Sequence, residues 1–157
     1  MNILNEYVNP GLSLLPENMR TDKAKAMIIA IGLQESEYKY RTQIGGPARG
    51  FHQFEQGGIK GVLNHPRSKD YALSVCKALK ITPDVTMIHY NIAYNDALDC
   101  AFARLLLWTL PSALPGRGDI EEGWKQYLSA WRPGKPRPEV WQGNFKRAWE
   151  EVKGDVG

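Results

Sequence analysis

A chain of 157 residues, 43% hydrophobic and 24% charged, has the length and make-up of one domain (residues 1–157) with a full core. Its formal charge of +3 is too small to argue for a nucleic-acid partner, although it suits work on an anionic envelope. No apolar run approaches the ~20 residues that span a bilayer, and the start, Met1 to Tyr7, has neither the basic nor the apolar region of a Sec signal.

Residues 1–20 read as a short helix broken at Asn9, Pro10 and Gly11, then an apolar piece, Leu12 to Leu15, stopped by Pro16. This segment is expected to form a lid on the core. Thr21 can cap a helix from Asp22 whose apolar positions are Ala24, Met27, Ile28 and Ile31. Glycines at 45, 46, 50, 57, 58 and 61 make region 45–61 a compact loop, with room for a small hairpin but not a sheet. Phe51 and Phe54 would anchor it, while Arg49, His52, Gln53, Glu55 and Gln56 supply polar groups.

The rest reads as helices. Ser68 caps one to about Lys80, and Thr82 caps the next with Pro83 at its first position. Asn95 or Asp96 begins the central core helix through Leu98, Ala101, Phe102, Leu105 and Trp108, which Pro111 and Pro115 follow. Asp119 to Glu122 fits a capping box before Trp124, Tyr127, Leu128 and Trp131. A rigid basic loop from Trp131 to Pro138 precedes a last helix from Glu139, with Trp141, Phe145, Ala148, Trp149 and Val152 on one face. The sum is mainly α (α+β).

Cys76 shares a stripe with Ala72, Val75 and Leu79 and reads as a buried thiol, with one bridge to Cys100 left open. His52, His65 and His89 have no ligand spacing, so neither a metal nor a cofactor is expected.

Glu35 is the residue that breaks the pattern. At about 100° per residue, Ala24, Ile28 and Glu35 lie within roughly 20° of one another on the helix surface. A carboxylate therefore stands where an aliphatic side chain belongs. Desolvation and the negative end of the helix dipole would both raise its pKa, the condition for a general acid near neutral pH. The plain alternative is a helix that frays at Gly32 and leaves Glu35 in solvent.

Glu35 and Ser36 ending a helix, followed by Gly50, Phe51, His52 and Gln53, resemble the signature of the goose-type lysozyme and lytic transglycosylase (SLT) family. That signature is a Glu-Ser pair, a glycine-rich turn and a Gly-Leu-Met-Gln-like segment, and the resemblance is strongest over residues 28–54. It implies a lysozyme-like fold with a helical lobe beside a small glycine-rich lobe. It also implies cleavage of the β-1,4 bond between N-acetylmuramic acid and N-acetylglucosamine, with Glu35 as catalytic acid and then base.

Gln53 matches the family's glutamine, and His52 departs from its methionine. Late in the domain the family carries Ala-Tyr-Asn-x-Gly, where Tyr and Asn face the catalytic Glu. Ala130, Trp131 and Arg132 before Gly134 are the preferred counterpart here, leaving Tyr94 as a buried ring and Asn95 as a helix cap. Ser36, His52, Gln53, Phe54, Glu55, Trp131 and Arg132 are thus the substrate-binding candidates, and Arg132, Lys135 and Arg137 could meet stem-peptide carboxylates. Glu37 reads as a surface charge. Hydrolysis and 1,6-anhydro formation stay equally open.

The partners implied are peptidoglycan strands and other phage virion or lysis proteins. The resemblance to phage-encoded lysins implies synthesis in the bacterial cytoplasm and action at the wall, reached through a holin or from the virion. Three rivals stand beside it: a catalytically silent, glycan-binding virion component, a chitinase-like glycosidase, and a basic helical protein binding nucleic acid through Arg132–Arg147.

Overall fold

A computed structural model describes residues 1–154, and these are mainly helical. Among them run eight α-helices: α1 (Asn9–Leu12), α2 (Asp22–Glu35), α3 (Gln56–Asn64), α4 (Lys69–Leu79), α5 (Val85–Ile92), α6 (Asp96–Trp108), α7 (Ile120–Trp131) and α8 (Pro138–Gly154). A π-helical turn, Ile3–Val8, leads into α1, and a 3-10 turn, Glu17–Met19, leads into α2. None of the helices is long and apolar enough to cross a membrane.

Two helices organise the core. α2 starts where Thr21 Oγ1 accepts the Ala24 N–H at 3.2 Å, and its residues from Ala26 to Gln34 are buried without interruption. It packs most extensively on α8 and also meets α6 and the N-terminal turn. A helix buried on every side needs no apolar stripe, so the stripe seen in the sequence understates its burial. α6 is the second, capped by Asn95, whose side chain accepts the Leu98 N–H at 3.0 Å, and it gathers α1, α3, α4, α5 and α7 around it.

The N-terminal segment is core rather than lid. Ile3, Leu4, Tyr7, Val8, Leu12 and Leu15 are all buried, and Pro10 does not break the chain, because the π turn runs directly into α1, with Asn9 N–H bonded to Leu4 O. Gly11 is required for the close approach of α1 to α6, since a Cβ there would lie 2.7 Å from Cys100 Sγ. Cys76 and Cys100 are both buried and free.

Several local expectations need correction. The glycine-rich stretch is not all loop, because Gly57, Gly58 and Gly61 belong to α3, whose buried Ile59 and Val62 repay the glycines' poor helix propensity. The extended part of the insert amounts to isolated bridges, Thr42 with Arg49 and Arg49 with Phe54. Asp84, not Thr82, caps α5, taking the Met87 N–H at 2.8 Å. Ser68 occupies the N-cap position of α4, but its buried hydroxyl donates to Val62 O at 2.6 Å and so ties α3 to α4. The Asp119 carboxylate accepts from Gly116 N at 2.9 Å rather than from its own helix. Tyr94 is no buried ring: it is 68% exposed, with the Arg49 guanidinium 5.4 Å from its centroid.

Two arginines hold the insert on the helices. Arg41 makes a two-pronged ion pair with Asp96 on α6, at 3.1 and 2.9 Å. Arg49 donates to His89 O and Tyr90 O near the end of α5, at 2.9 and 3.0 Å, as cations at helix C-termini commonly do. At the centre of the insert Gly50 has φ +80°, and a Cβ there would lie 2.5 Å from Asp99 Oδ1. Gly50→Ala is expected to cost about 1–3 kcal/mol from the clash and the left-handed backbone. Urea denaturation monitored by tryptophan fluorescence reads the change.

Candidate functional site

Glu35 is the last residue of α2, and the helix runs through Gly32 without fraying. Ser36 closes it, and Glu37 and Tyr38 turn the chain away in left-handed conformations, φ +54° and +57°. The carboxyl group accepts a hydrogen bond from the Tyr127 hydroxyl on α7, and the Glu35 carbonyl accepts one from Tyr40 Oη at 2.9 Å. Burial pushes the Glu35 pKa above the ordinary carboxylate range. The Tyr127 bond, then the nearby His52 and Arg137, pull it back in part, and Glu55 pushes it up slightly. Burial and the bond to Glu35 raise the Tyr127 pKa as well, so the phenol stays the donor.

Above Glu35 opens a cleft of about 610 Å³. The end of α2 and Tyr40 form one wall, Gln43, Ala48, Gln53 and Glu55 a second, and Trp131 to Lys135 with Arg137 the third. A neighbouring cavity of about 520 Å³ continues past Phe54, His65 and Thr109, and it shares Gln53, Glu55, Trp131 and Arg132 with the first. Joined through these residues, the two form a groove, and Glu35 lines the first part of it. Three carboxylates (Glu35, Glu37, Glu55) and three cations (Arg132, Lys135, Arg137) line the first cavity.

The structure divides the sequence candidates into two groups. Gln53, Glu55, Trp131 and Arg132 line both cavities, and Phe54, although buried, lines the second with its ring 5.8 Å from that of Trp131. Trp131 is fixed by its indole N–H, which donates to His52 O at 2.9 Å. Gln53 also braces its own turn, its side-chain amide donating to Gly50 O at 2.9 Å.

Ser36 and His52 belong to the support beneath. Ser36 is buried at the cleft edge, its hydroxyl donating to Phe51 O at 2.7 Å and accepting from Tyr38 N at 3.1 Å. His52 is 0% exposed and does not line the groove. Its Nε2 donates to Ile28 O at 2.7 Å, and its Nδ1 lies 2.6 Å from Tyr7 Oη and 3.1 Å from Asp99 Oδ2. That environment corrects its assignment as a substrate contact, since every polar atom of the ring is already engaged inside the core.

Glu37 lies on the cleft rim, exposed and paired with Lys39 at 3.0 Å. Of the tryptophans read as core, Trp141 is fully enclosed, whereas Trp108, Trp124 and Trp149 are partly buried against the core.

Two features escaped the sequence. Tyr127, on the Trp124–Trp131 stripe, reads as core by spacing, and the signal was chemical: a phenol on a buried stripe needs an acceptor, and Glu35 was the carboxylate displaced into one. The second is a clamp in which Gln34 Nε2 donates to Arg137 O at 2.9 Å, Arg137 donates to Gln34 O at 3.0 Å and Asn144 donates to Gln34 Oε1 at 2.9 Å. It pins the 132–137 loop to α2 and places the Arg137 charge near Glu35.

Two outcomes follow from these contacts. Tyr127→Phe removes a bond to the charged form of Glu35, so the Glu35 pKa should rise further, readable by ¹³C NMR titration of the carboxyl carbon. Because its folded-state pKa is raised, Glu35 lowers stability as pH climbs from the unfolded value of about 4.3 through the folded one. Glu35→Gln should therefore match the parent in stability below that window and exceed it above, a difference that urea midpoints at acid and neutral pH measure.

Comparison with family models, with curated proteins and with solved structures returns no match.

Proposed function

We propose that this protein is a lysozyme-like glycosidase that cleaves the N-acetylmuramic acid–N-acetylglucosamine bond of peptidoglycan. The observation that carries this reading is a half-buried carboxyl group lining an extended groove, with its pKa raised by burial and its orientation held by a tyrosine. Glu35 protonates the glycosidic oxygen as its bond to the anomeric carbon breaks. The resulting carboxylate then takes the proton from the incoming nucleophile, water or the sugar's own 6-hydroxyl.

The groove suits a polymeric sugar. The partly exposed face of Trp131 offers a stacking surface, Gln53 and Glu55 offer hydrogen bonds, and Arg132 and Lys135 offer charge to anionic substituents. A mechanism with one carboxylate fits the position of Glu37, whose charge is tied to Lys39 at the rim.

The deciding experiment incubates purified peptidoglycan with the protein and with Glu35→Gln and reads the soluble products by mass spectrometry. The parent should release anhydro-muropeptides or reducing muramic ends, and the variant should be slower by about 10²–10⁴-fold, the usual worth of a general acid. No product from the parent on several wall types would leave a glycan-binding role, and equal rates would remove Glu35 from the mechanism. With activity in hand, Trp131→Ala should weaken substrate binding roughly tenfold or more while Trp131→Phe retains most of it, as stacking worth ~1–2 kcal/mol requires. Steady-state KM on soluble glycan oligomers measures both.

A further inference from the structure

Beyond the groove, where α6 ends, cations converge without a counter-charge. Arg104 is 3% exposed on α6, and its Nε donates to Met19 O at 2.7 Å. Its guanidinium carbon lies 5.1 Å from the Trp108 ring centroid, and that of Arg67 lies 5.2 Å from the same centroid. Arg67 reaches this position by donating to Leu110 O at 3.2 Å. With Lys23 from the first turn of α2, the two arginines line a pocket of about 420 Å³.

Among the described residues, none of these three cations forms an ion pair with a carboxylate. Among the described residues no group accepts from the Nη atoms of Arg104, and the side chain lines the pocket, where those donors can meet a ligand. The arrangement is unfavourable as it stands. Burial first, and the neighbouring Arg67 second, hold the Arg104 pKa down at about 10. Surface arginines usually relieve such strain by pointing apart into water, but the bonds to Met19 O and Leu110 O and the shared indole hold these two together.

We propose that this pocket binds an oxyanion, a carboxylate or a phosphate, which the guanidinium groups of Arg67 and Arg104 hold beside Trp108. Planar guanidinium donors match such oxygens in pairs, and a partly buried site strengthens each charged bond. Lys23 adds a third positive charge at the mouth. Either a free ion or a group carried on a polymer supplies such oxygens, and the test below separates the two. None of the three cations lines the groove that holds Glu35, so the site stands or falls apart from the proposed activity.

The test is an NMR titration of the full chain at constant ionic strength, following the Trp108 indole N–H and the Arg104 Nε–H. The probes are inorganic phosphate, acetate, poly(glycerol phosphate) and, as control, chloride. Saturable shifts with at least one oxyanion, with Kd on the order of 1 mM, are expected at these two signals but not at Tyr127. Tighter binding of the polymer than of inorganic phosphate would mark an attached group, and the order of acetate and phosphate identifies the anion. Arg67→Gln, an exposed change that leaves the Arg104 brace in place, should weaken binding about tenfold, and Lys23→Gln should weaken it less. Shifts that never saturate, that chloride reproduces, or that persist unchanged in Arg67→Gln would overturn the proposal.

Discussion

The all-round burial of α2 is the constraint on which the rest depends. Its residues from Ala26 to Gln34 lie inside the molecule, so the helix end has a fixed position set by α8, α6 and the N-terminal turn together. Glu35 is the first side chain past that enclosed run, and it emerges where the core gives way to the groove. Close packing transmits position with little slack, so the carboxyl group inherits the rigidity of the helix that carries it. Burial also supplies the desolvation that raises its pKa, so one packing arrangement sets both its place and its protonation.

Short polar bonds extend this rigidity to the groove walls. Ser36 joins the end of α2 to Phe51, His52 joins the middle of α2 to the same insert, and the His52 carbonyl receives the Trp131 indole from α7. The Gln34–Arg137–Asn144 clamp does the same for the third wall. Each wall is thus tied either to α2 or to a residue that is. Three non-glycine residues lining the cleft, Glu37, Gln53 and Arg132, have left-handed backbones, φ +54°, +51° and +48°. Such conformations cost about 1–2 kcal/mol each and persist only where surrounding bonds hold them, as the tied walls do here.

The elements that sequence reasoning located well were those with a local cause. Thr21 and Asn95 cap their helices through their own side chains, and the break in the stripe at Glu35 is visible because an apolar period leads up to it. What it missed depended on partners distant in the chain. Pro10 looked like a break, but the chain stays helical through it by way of a π turn that no propensity announces. α3 was hidden by three glycines, and its helicity comes from Ile59 and Val62 finding a core to bury in. Tyr127 lies 92 residues from Glu35, and only the fold brings its hydroxyl to the carboxyl group.

The departure at His52 shows how such distance matters to the resemblance itself. A methionine at this place would fill space, whereas a histidine buried there must have each nitrogen matched. Ile28 O takes one, and Asp99 with Tyr7 takes the other. Tyr7 also donates to Asp99, so the three side chains form one connected set drawn from the N-terminal turn, the insert and α6, with Asp99 Oδ1 left without a partner. Exchanging any one of them alone would strand a buried polar group, at a cost of about 1–3 kcal/mol. The histidine is therefore explained by its partners in the core, and the imidazole lines neither of the cavities that Gln53 and Trp131 line. The buried ring keeps one influence on the groove, since its proximity helps to hold the Glu35 pKa down.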